Sequence, residues 1–258
     1  MNKDYTLIWS FRNRYELLER SILSAHKTCP KWVNFCLVDA DSSEETIKSL
    51  RSLLNTIEGR KIRVCESSYR SSLAEAWNLG MMLASTRYVI FASSDIEFLR
   101  EEWFTELYRN VGEGMEYVML ENHSVFALDK NVIPKMGWFD EKFKIGPHFD
   151  TDFMVRGSEH GVKMRVLYPQ EVLYSHNASE EDSTQSHQDI DVKERQKMDL
   201  PDRLPMNDPF NENYFKEKWM SAWNGWSEGV HPPNHISQAK RMMEETDPHP
   251  LYTKKYQY

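Results

Sequence analysis

Asp95 and Glu97 have the residue type and the spacing for metal binding. They are separated by one residue and follow the apolar run at 88–92. In an extended chain, residues two apart project from the same face, so the two carboxylates would lie side by side. Carboxylate oxygens are hard ligands that suit Mg²⁺ or Mn²⁺. The pair is equally compatible with an ordinary polar turn, so its position in the fold must decide.

A second pair of acids, Asp150 and Asp152, stands between Phe149 and Phe153. A carboxylate of this kind can act as a general base that removes a proton from a hydroxyl group. The competing interpretation is local, because Asp150 or Thr151 would also cap a helix covering about 154–160. Both roles are compatible with a segment at the mouth of a pocket.

An imidazole and three tryptophans complete the candidates. His176 follows the apolar run at 172–174 and would supply a third metal ligand, although a lone histidine after a strand is more often structural. Trp219, Trp223 and Trp226 would stack on sugar rings, but their spacing is also that of a buried helix face. We assign Trp219 and Trp223 to core packing and leave Trp226 open.

Composition limits the class of protein. The chain has 258 residues, of which 40% are hydrophobic, enough for one main domain with an appendage. A formal charge of -8 argues against long nucleic acid as a partner. We find no apolar run of roughly 20 residues and no signal peptide, so we expect no transmembrane segment and a cytoplasmic location.

The elements that must position these residues alternate along the chain. Strands are predicted at 6–9, 33–38, 62–65, 88–92 and 117–120, and helices at 14–26, after 43, at 72–85, 101–110 and 213–223. Alternating strands and amphipathic helices indicate an α/β fold with a mostly parallel sheet. Asp95 would then lie at the carboxyl end of a buried strand, where such sheets bind ligands.

Five segments in this order resemble motifs of the GT-A-fold glycosyltransferases, in particular the inverting enzymes of family 2. The segments are 10–14, 38–46, 73–80, 93–95 and 136–143. Ser93 stands where that family has the first acid of an Asp-x-Asp motif, and Asp95 matches the second. Glu97 matches no required position and is inferred from its spacing. Asp150 matches the catalytic base, while the glutamate that precedes this base in the family is missing.

The resemblance implies a GT-A (Rossmann-like) sheet, mixed but mostly parallel and flanked by helices, with a C-terminal helical appendage. We expect a catalytic domain at 1–178, a polar loop or lid at 179–212, and a C-terminal helix and tail at 213–258 that packs on the main domain. The expected donor contacts are Ser10, Arg12, Asp39, Arg70, Asn78, Ser94 and Asp95. The expected metal ligands are Asp95, Glu97 and His176, and the expected catalytic acids are Asp150 and Asp152. Lys144 is a further candidate for contact with phosphate or acceptor.

The implied reaction is transfer of a sugar, with inversion, from a UDP-, GDP- or dTDP-sugar to a hydroxyl of a glycan or glycoprotein. Mn²⁺ or Mg²⁺ would assist, and the compact size also suits a transferase of a virus- or phage-infected cell. One alternative is a nucleotidyltransferase of related fold, although the first strand is not followed by the usual glycine-rich loop. Another is a nucleotide-sugar- or glycan-binding protein without catalysis, which Ser93 and the missing glutamate would favour.

Overall fold

The computed structural model describes residues 4–66, 71–143 and 148–177, together with 215 and 218–219. The strands are β1 (Tyr5–Phe11), β2 (Asn34–Asp39), β3 (Ile62–Cys65), β4 (Tyr88–Ser93), β5 (Ile96–Phe98), β6 (Tyr117–Leu120), β7 (Asn122–Asp129), β8 (Met164–Leu167) and β9 (Tyr174–His176). The helices are α1 (Tyr15–Thr28), α2 (Glu44–Leu54), α3 (Leu73–Leu83), α4 (Glu102–Gly112), α5 (Ile133–Met136) and α6 (Phe149–Glu159), and a 3-10 helix covers Lys130–Val132.

Seven strands form one sheet in the order β3-β2-β1-β4-β7-β6-β8. β7 is antiparallel to both of its neighbours, and the other adjacent pairs are parallel. The predicted mixed, mostly parallel sheet is therefore confirmed. The sequence did not indicate β7, which follows β6 after the single residue Glu121, whose φ is 57°. β5 and β9 form a separate antiparallel pair.

The central sheet is buried on both faces, as parallel sheets are. Along β1, Leu7 and Trp9 face a layer that includes α1, α2 and α4, whereas Ile8 faces a layer that includes α3, α5 and α6. Helix α3 approaches β1 closely because Gly80 has no side chain. A Cβ at that position would come within 2.5 Å of Ile8. This close approach fixes the start of α3 beside the carboxyl end of β1.

Helix α6 begins earlier than predicted, and its N-cap is His148, so the prediction that Asp150 or Thr151 caps it is wrong. The helix begins at Phe149, so Asp150 and Asp152 lie in its first turn, where carboxylates interact favourably with the positive end of the helix dipole. Phe215 and Trp219 pack in the same layer and are 3% and 1% exposed. The prediction that Trp219 is a core residue is therefore confirmed.

Among the described helices, none has the length and apolar character to span a membrane.

Candidate functional site

A cavity with a volume of about 300 Å³ lies at the carboxyl ends of β1 and β4. The two strands run parallel with Ser10 opposite Ser93, so both end at the same edge of the sheet. We call this site the strand-end cavity. Four of the predicted donor-contacting residues line it, namely Ser10, Arg12, Ser94 and Asp95. Sequence position alone was enough to bring these four together, because they follow two strands that the apolar pattern had located.

The loop after β1 has an unusual backbone. Asn13 and Arg14 both have φ of 53°, in the left-handed region that side chains other than glycine rarely adopt. The Asn13 amide oxygen accepts from the backbone N–H of Ser43 at 2.9 Å, and its own N–H donates to the Ser42 hydroxyl at 2.7 Å. Such strain persists only where the surroundings hold it, and it concentrates at functional sites.

Arg14, in this strained loop, lines the strand-end cavity. Its Nη2 atom is buried and has no hydrogen-bond partner among the described residues. A buried guanidinium nitrogen without a partner is costly, and phosphate oxygens are its natural acceptors. Arg14 stands out in the sequence only as part of a motif, because the sequence does not show which arginines find hydrogen-bond partners in the fold.

Asp95 and His176 come together because β5 and β9 pair with Ile96 opposite His176. The Nδ1 atom of His176 lies 3.4 Å from Oδ2 of Asp95. The hydrogen bond to Asp95 raises the pKa of His176 above its ordinary value, against the opposing effect of burial. Burial alone would raise the pKa of Asp95, but the hydrogen bond and charge of His176, assisted by Arg14, outweigh it and lower the pKa.

Glu97 does not join this pair directly. Its Oε2 atom accepts from the side-chain amide of Asn177 at 3.0 Å. Within the described ranges, no three histidine, cysteine or acidic side chains converge into a group that would hold a metal ion. The donors next to the strand-end cavity are therefore one carboxylate and one imidazole, which fits a divalent cation only if the ligand supplies further oxygens.

Asp39 ends β2 and pairs with Phe11 at the end of β1. Its side chain is buried, and Oδ1 accepts from the backbone N–H of Ser42 at 3.0 Å. Burial raises the pKa of Asp39, while the hydrogen bonds from Ser42 oppose this rise. A carboxylate kept at such a cost next to the site is typical of a functional residue.

Asn78, a predicted donor contact, has other partners and does not line the cavity. Its Nδ2 donates to the backbone oxygen of Phe139 at 2.9 Å and to Oε1 of Glu141 at 2.8 Å, and its Oδ1 accepts from the N–H of Phe139 at 3.0 Å. The amide is fully buried. These contacts tie α3 to the segment before α6, so the structure gives Asn78 a role in positioning that segment.

Asp150 is the partly exposed acid in the first turn of α6. Its Oδ1 accepts from the backbone N–H of Thr151 at 2.8 Å, and its Oδ2 lies 3.3 Å from Nδ1 of His123. The ring of Trp77, which lines the strand-end cavity, lies 5.0 Å from the ring of Phe149. Asp150 therefore follows a residue that packs against the cavity wall. No sequence pattern pointed to His123, because β7 itself was not predicted.

Asp152 is not available for catalysis, which corrects the prediction that it is a second catalytic acid. Its side chain is fully buried, and Oδ2 accepts from Nε of Arg156 at 2.9 Å. Its other oxygen, Oδ1, accepts from Nε1 of Trp219 at 2.9 Å and lies 2.9 Å from Nζ of Lys218. With its lone pairs engaged and no access to solvent, this carboxylate cannot receive a proton from a substrate.

Asp140 completes the surroundings of Asp152, because Lys218 also pairs with it. We call Asp140, Asp152, Arg156 and Lys218 the ion cluster. All four are at most 5% exposed, and their two positive and two negative charges balance. The cluster joins α6 to the described residues of the C-terminal segment.

Several predicted residues lie outside the described part of the chain. They are the predicted contacts Arg70 and Lys144, the predicted lid at 179–212, and Trp223 and Trp226.

The chain matches one protein family, and several solved structures share its fold. The model of the family described as glycosyl transferase family 2 matches residues 6–162, which is more than half of the chain. A search of curated proteins finds no match. The matched range includes β1 to α6 and ends before β8. It therefore covers the strand-end cavity and Asp150 but neither His176 nor the described C-terminal residues.

Several solved structures share the fold. The mannosyltransferase PcManGT from Pyrobaculum calidifontis, in complex with GDP-Man and Mn²⁺, aligns with a TM-score of 0.58 and 13% identity over 96% of this chain and 77% of that one. Residues 1–349 of S. aureus TarS align with a TM-score of 0.58 and 13% identity over 90% of this chain and 77% of that one. GalNAc-T7 with UDP, GalNAc and Mn²⁺ aligns with a TM-score of 0.62 and 12% identity over 98% of this chain and 56% of that one. At these identities the likeness shows the fold alone.

Proposed function

The chain belongs to glycosyl transferase family 2 and has the GT-A fold, and from this premise we propose that it transfers a sugar from a nucleotide-diphosphate donor to an acceptor hydroxyl with inversion. The observation that carries the proposal is the strand-end cavity, which is lined by both Asp95 and Arg14. Asp95 pairs with His176, and Nη2 of Arg14 has no hydrogen-bond partner among the described residues. A diphosphate would supply the acceptor atoms that Arg14 lacks. The hydroxyl groups of Ser10 and Ser94 would add neutral donors.

Asp39 would bind the base or ribose of the donor nucleotide. It lies at the end of β2, next to the end of β1, which opens into the cavity. Its Oδ1 atom accepts from the backbone N–H of Ser42, and the proposed contact with the donor would use the other oxygen, Oδ2. The structures of PcManGT and GalNAc-T7 hold GDP-Man and UDP, respectively. We therefore propose a UDP-, GDP- or dTDP-sugar as the donor class.

Asp95 and His176 would hold a divalent cation. PcManGT and GalNAc-T7 both hold Mn²⁺ in their structures. In this chain an oxygen and an imidazole nitrogen stand 3.4 Å apart, and two diphosphate oxygens would complete a mixed ligand set. The bound cation would neutralise charge on the diphosphate as it leaves. Glu97, held by Asn177, would orient this edge of the site and not bind the cation directly.

Asp150 would act as the general base. One oxygen of its carboxylate would take the proton from the acceptor hydroxyl while the hydroxyl oxygen forms a bond with the anomeric carbon. The bond from that carbon to the diphosphate breaks, and its electron pair leaves with the phosphate oxygen. Attack from the side opposite the leaving group inverts the anomeric centre. A glycan or a glycoprotein carbohydrate would supply the acceptor hydroxyl.

The first test is donor binding measured by thermal shift with UDP, GDP, dTDP and CMP, each with and without Mn²⁺. A ligand at about 100 times its Kd stabilises the folded protein by about 2.7 kcal/mol, which raises Tm by several degrees. We expect one nucleoside diphosphate to give this shift, and Mn²⁺ to increase it. Asp95→Ala should abolish the Mn²⁺-dependent part, while Glu97→Gln keeps it.

The second test is release of the nucleoside diphosphate from the matching sugar donor, followed by NMR of the transferred sugar. Turnover with an inverted anomeric configuration supports the proposal. Binding without turnover of any UDP-, GDP- or dTDP-sugar, with glycan acceptors present, would indicate a binding protein instead. Retention of configuration would show that Asp150 is not a base for direct displacement.

A further inference from the structure

We propose that His123 is a positioning residue that orients the carboxylate of Asp150 for proton removal. This inference rests on the proposed function, since it concerns the general base of that reaction. Its basis is the contact between Nδ1 of His123 and Oδ2 of Asp150 at 3.3 Å. No motif in the sequence pointed to His123, which lies 27 positions before Asp150 and on a different element.

The strand β7 carries His123 in an irregular part of its pairing. The register between β6 and β7 shifts between the pair Met119 and Phe126 and the pair Leu120 and Asn122. His123 lies within this shift. Irregularities of this kind redirect a side chain and are frequent next to active sites. Here the irregularity lies where β7 meets the first turn of α6, next to Asp150.

Both members of the pair are mostly sheltered from solvent, but not equally. The side chain of His123 is 16% exposed and that of Asp150 is 24% exposed. The carboxylate is therefore the more accessible of the two groups to a substrate hydroxyl. The second oxygen of Asp150 accepts from the N–H of Thr151. Two donors on two oxygens would hold the plane of the carboxylate and still leave lone pairs for the acceptor hydroxyl.

In a neutral His123 ring, one nitrogen carries the hydrogen, and the neighbouring groups decide which one. Burial lowers the pKa of His123, and the charge of Asp150 only partly opposes this effect, so the ring is neutral at neutral pH. Nδ1 faces Oδ2 of Asp150 at 3.3 Å, so the proposal requires the tautomer that carries its hydrogen on Nδ1. Nε2 is then an acceptor, and it is buried without a partner among the described residues.

Two substitutions separate orientation from simple packing. The amide of His123→Asn places an N–H close to the position of Nδ1, whereas the longer His123→Gln places it near Nε2. We expect His123→Gln and His123→Leu to lower kcat by about 10-fold to 100-fold and His123→Asn to restore most of it. The KM for the donor and the thermal shift caused by UDP or GDP should remain unchanged in all three, because the strand-end cavity lies on other elements.

The readout is kcat for nucleoside diphosphate release from the donor that gives the largest thermal shift. Equal activity of the Asn and Gln variants would overturn the proposal, as would wild-type kcat in His123→Leu. If His123→Leu does not fold, the comparison of Asn with Gln decides alone. Nitrogen NMR of labelled histidine adds a test without turnover, since His123 should show the tautomer protonated at Nδ1. The opposite tautomer would contradict the proposal.

Asp150→Asn distinguishes this inference from the function on which it rests. Full turnover by Asp150→Asn would show that Asp150 is not the general base, and would overturn the proposed mechanism. Loss of turnover in Asp150→Asn together with normal His123 variants would overturn only the role of His123. Reduced kcat in both Asp150→Asn and His123→Gln, with His123→Asn active, supports both.

Discussion

The strand-end cavity and the ion cluster both collect charged side chains, but they differ in how those charges are satisfied. In the ion cluster, Asp152 receives hydrogen bonds from Arg156 and Trp219 and pairs with Lys218. Nη2 of Arg156 lacks an aligned hydrogen bond within the described residues, but it lies 2.9 Å from Oδ2 of Asp152. At the strand-end cavity, the buried Nη2 of Arg14 has no hydrogen-bond partner in the described part of the chain. Unmatched polar groups at a cavity are available to a ligand, whereas matched groups in the core hold elements together.

The same contrast occurs inside one helix turn. Asp150 and Asp152 are two residues apart on α6, yet Asp150 is partly exposed and Asp152 is fully buried. Saturation by partners, more than residue type or local sequence, therefore distinguishes the structural acid Asp152 from Asp150, the proposed general base. Substitutions on both sides of this contrast should have different effects on activity and on stability.

The largest effect is expected for Asp150→Asn. The amide keeps an oxygen for the N–H of Thr151 but cannot take a proton, so kcat should fall by about 10²-fold to 10⁴-fold. The partly exposed side chain makes few structural contacts, so Tm should change by little. Measurement of kcat and Tm on the same preparation checks both parts. A large loss of Tm would place Asp150 with the structural acids and remove the contrast with Asp152.

Asp152→Ala should act on stability. It leaves Arg156 buried without its carboxylate and Lys218 with Asp140 as its remaining acidic partner, which costs about 3–5 kcal/mol in the free energy of unfolding. Urea denaturation measures this loss. The matched control is Arg109→Ala, which breaks the exposed pair with Glu106 and should cost no more than about 1 kcal/mol. If Asp152→Ala kept full stability and lost only kcat, our correction of its role would be wrong.

Arg14→Gln should weaken binding of the nucleoside diphosphate by about 10-fold to 100-fold. A hydrogen bond to a charged group contributes about 1.5–3 kcal/mol, and the glutamine amide carries no charge. Arg20→Gln is the matched control, since Arg20 lies exposed on α1, which begins directly after Arg14, and does not line the cavity. Titration calorimetry with UDP and GDP in the presence of Mn²⁺ measures both. Equal affinity in the two variants would mean that the unpaired nitrogen of Arg14 does not contact phosphate.

The parts of the fold that the sequence predicted are those with local signals. The apolar runs of β3 and β6 were located at their observed bounds, and the chain order of strands and helices implied the parallel half of the sheet. β7 was missed because Glu121, and not a glycine or asparagine, makes the turn before it. Candidate residues directly after strands, such as Ser10 and Asp95, were correctly brought to one cavity.

The parts that could not be predicted depend on partners distant in the sequence. The role of Asp152 is decided by Lys218 and Trp219, which follow it by more than 60 positions. His123 meets Asp150 only through the pairing of β7 in the sheet. Local patterns locate elements and the residues that end them, but the partners of a charge are set by the tertiary fold.

Asp39→Asn is expected to have the smallest effect, and in the opposite direction for stability. Burial raises the pKa of Asp39, so its charged form destabilises the folded protein at neutral pH. A raised folded-state pKa gives a stabilising contribution that is present below the unfolded value of about 3.9 and lost as the pH rises through the folded value. The neutral asparagine side chain would avoid that loss and still accept the hydrogen bond from Ser42.

Asp39→Asn should therefore unfold at a higher Tm than the wild type at pH 7, and the difference should disappear below about pH 3.9. Its affinity for the nucleoside diphosphate should fall by about fivefold, because a neutral acceptor replaces a charged one. Asp41→Asn, two residues further along the same loop, should change Tm and affinity by little. A gain in Tm without loss of affinity would show that Asp39 does not bind the nucleotide. A buried carboxylate with a raised pKa beside the cavity would then not be sufficient to identify a binding residue.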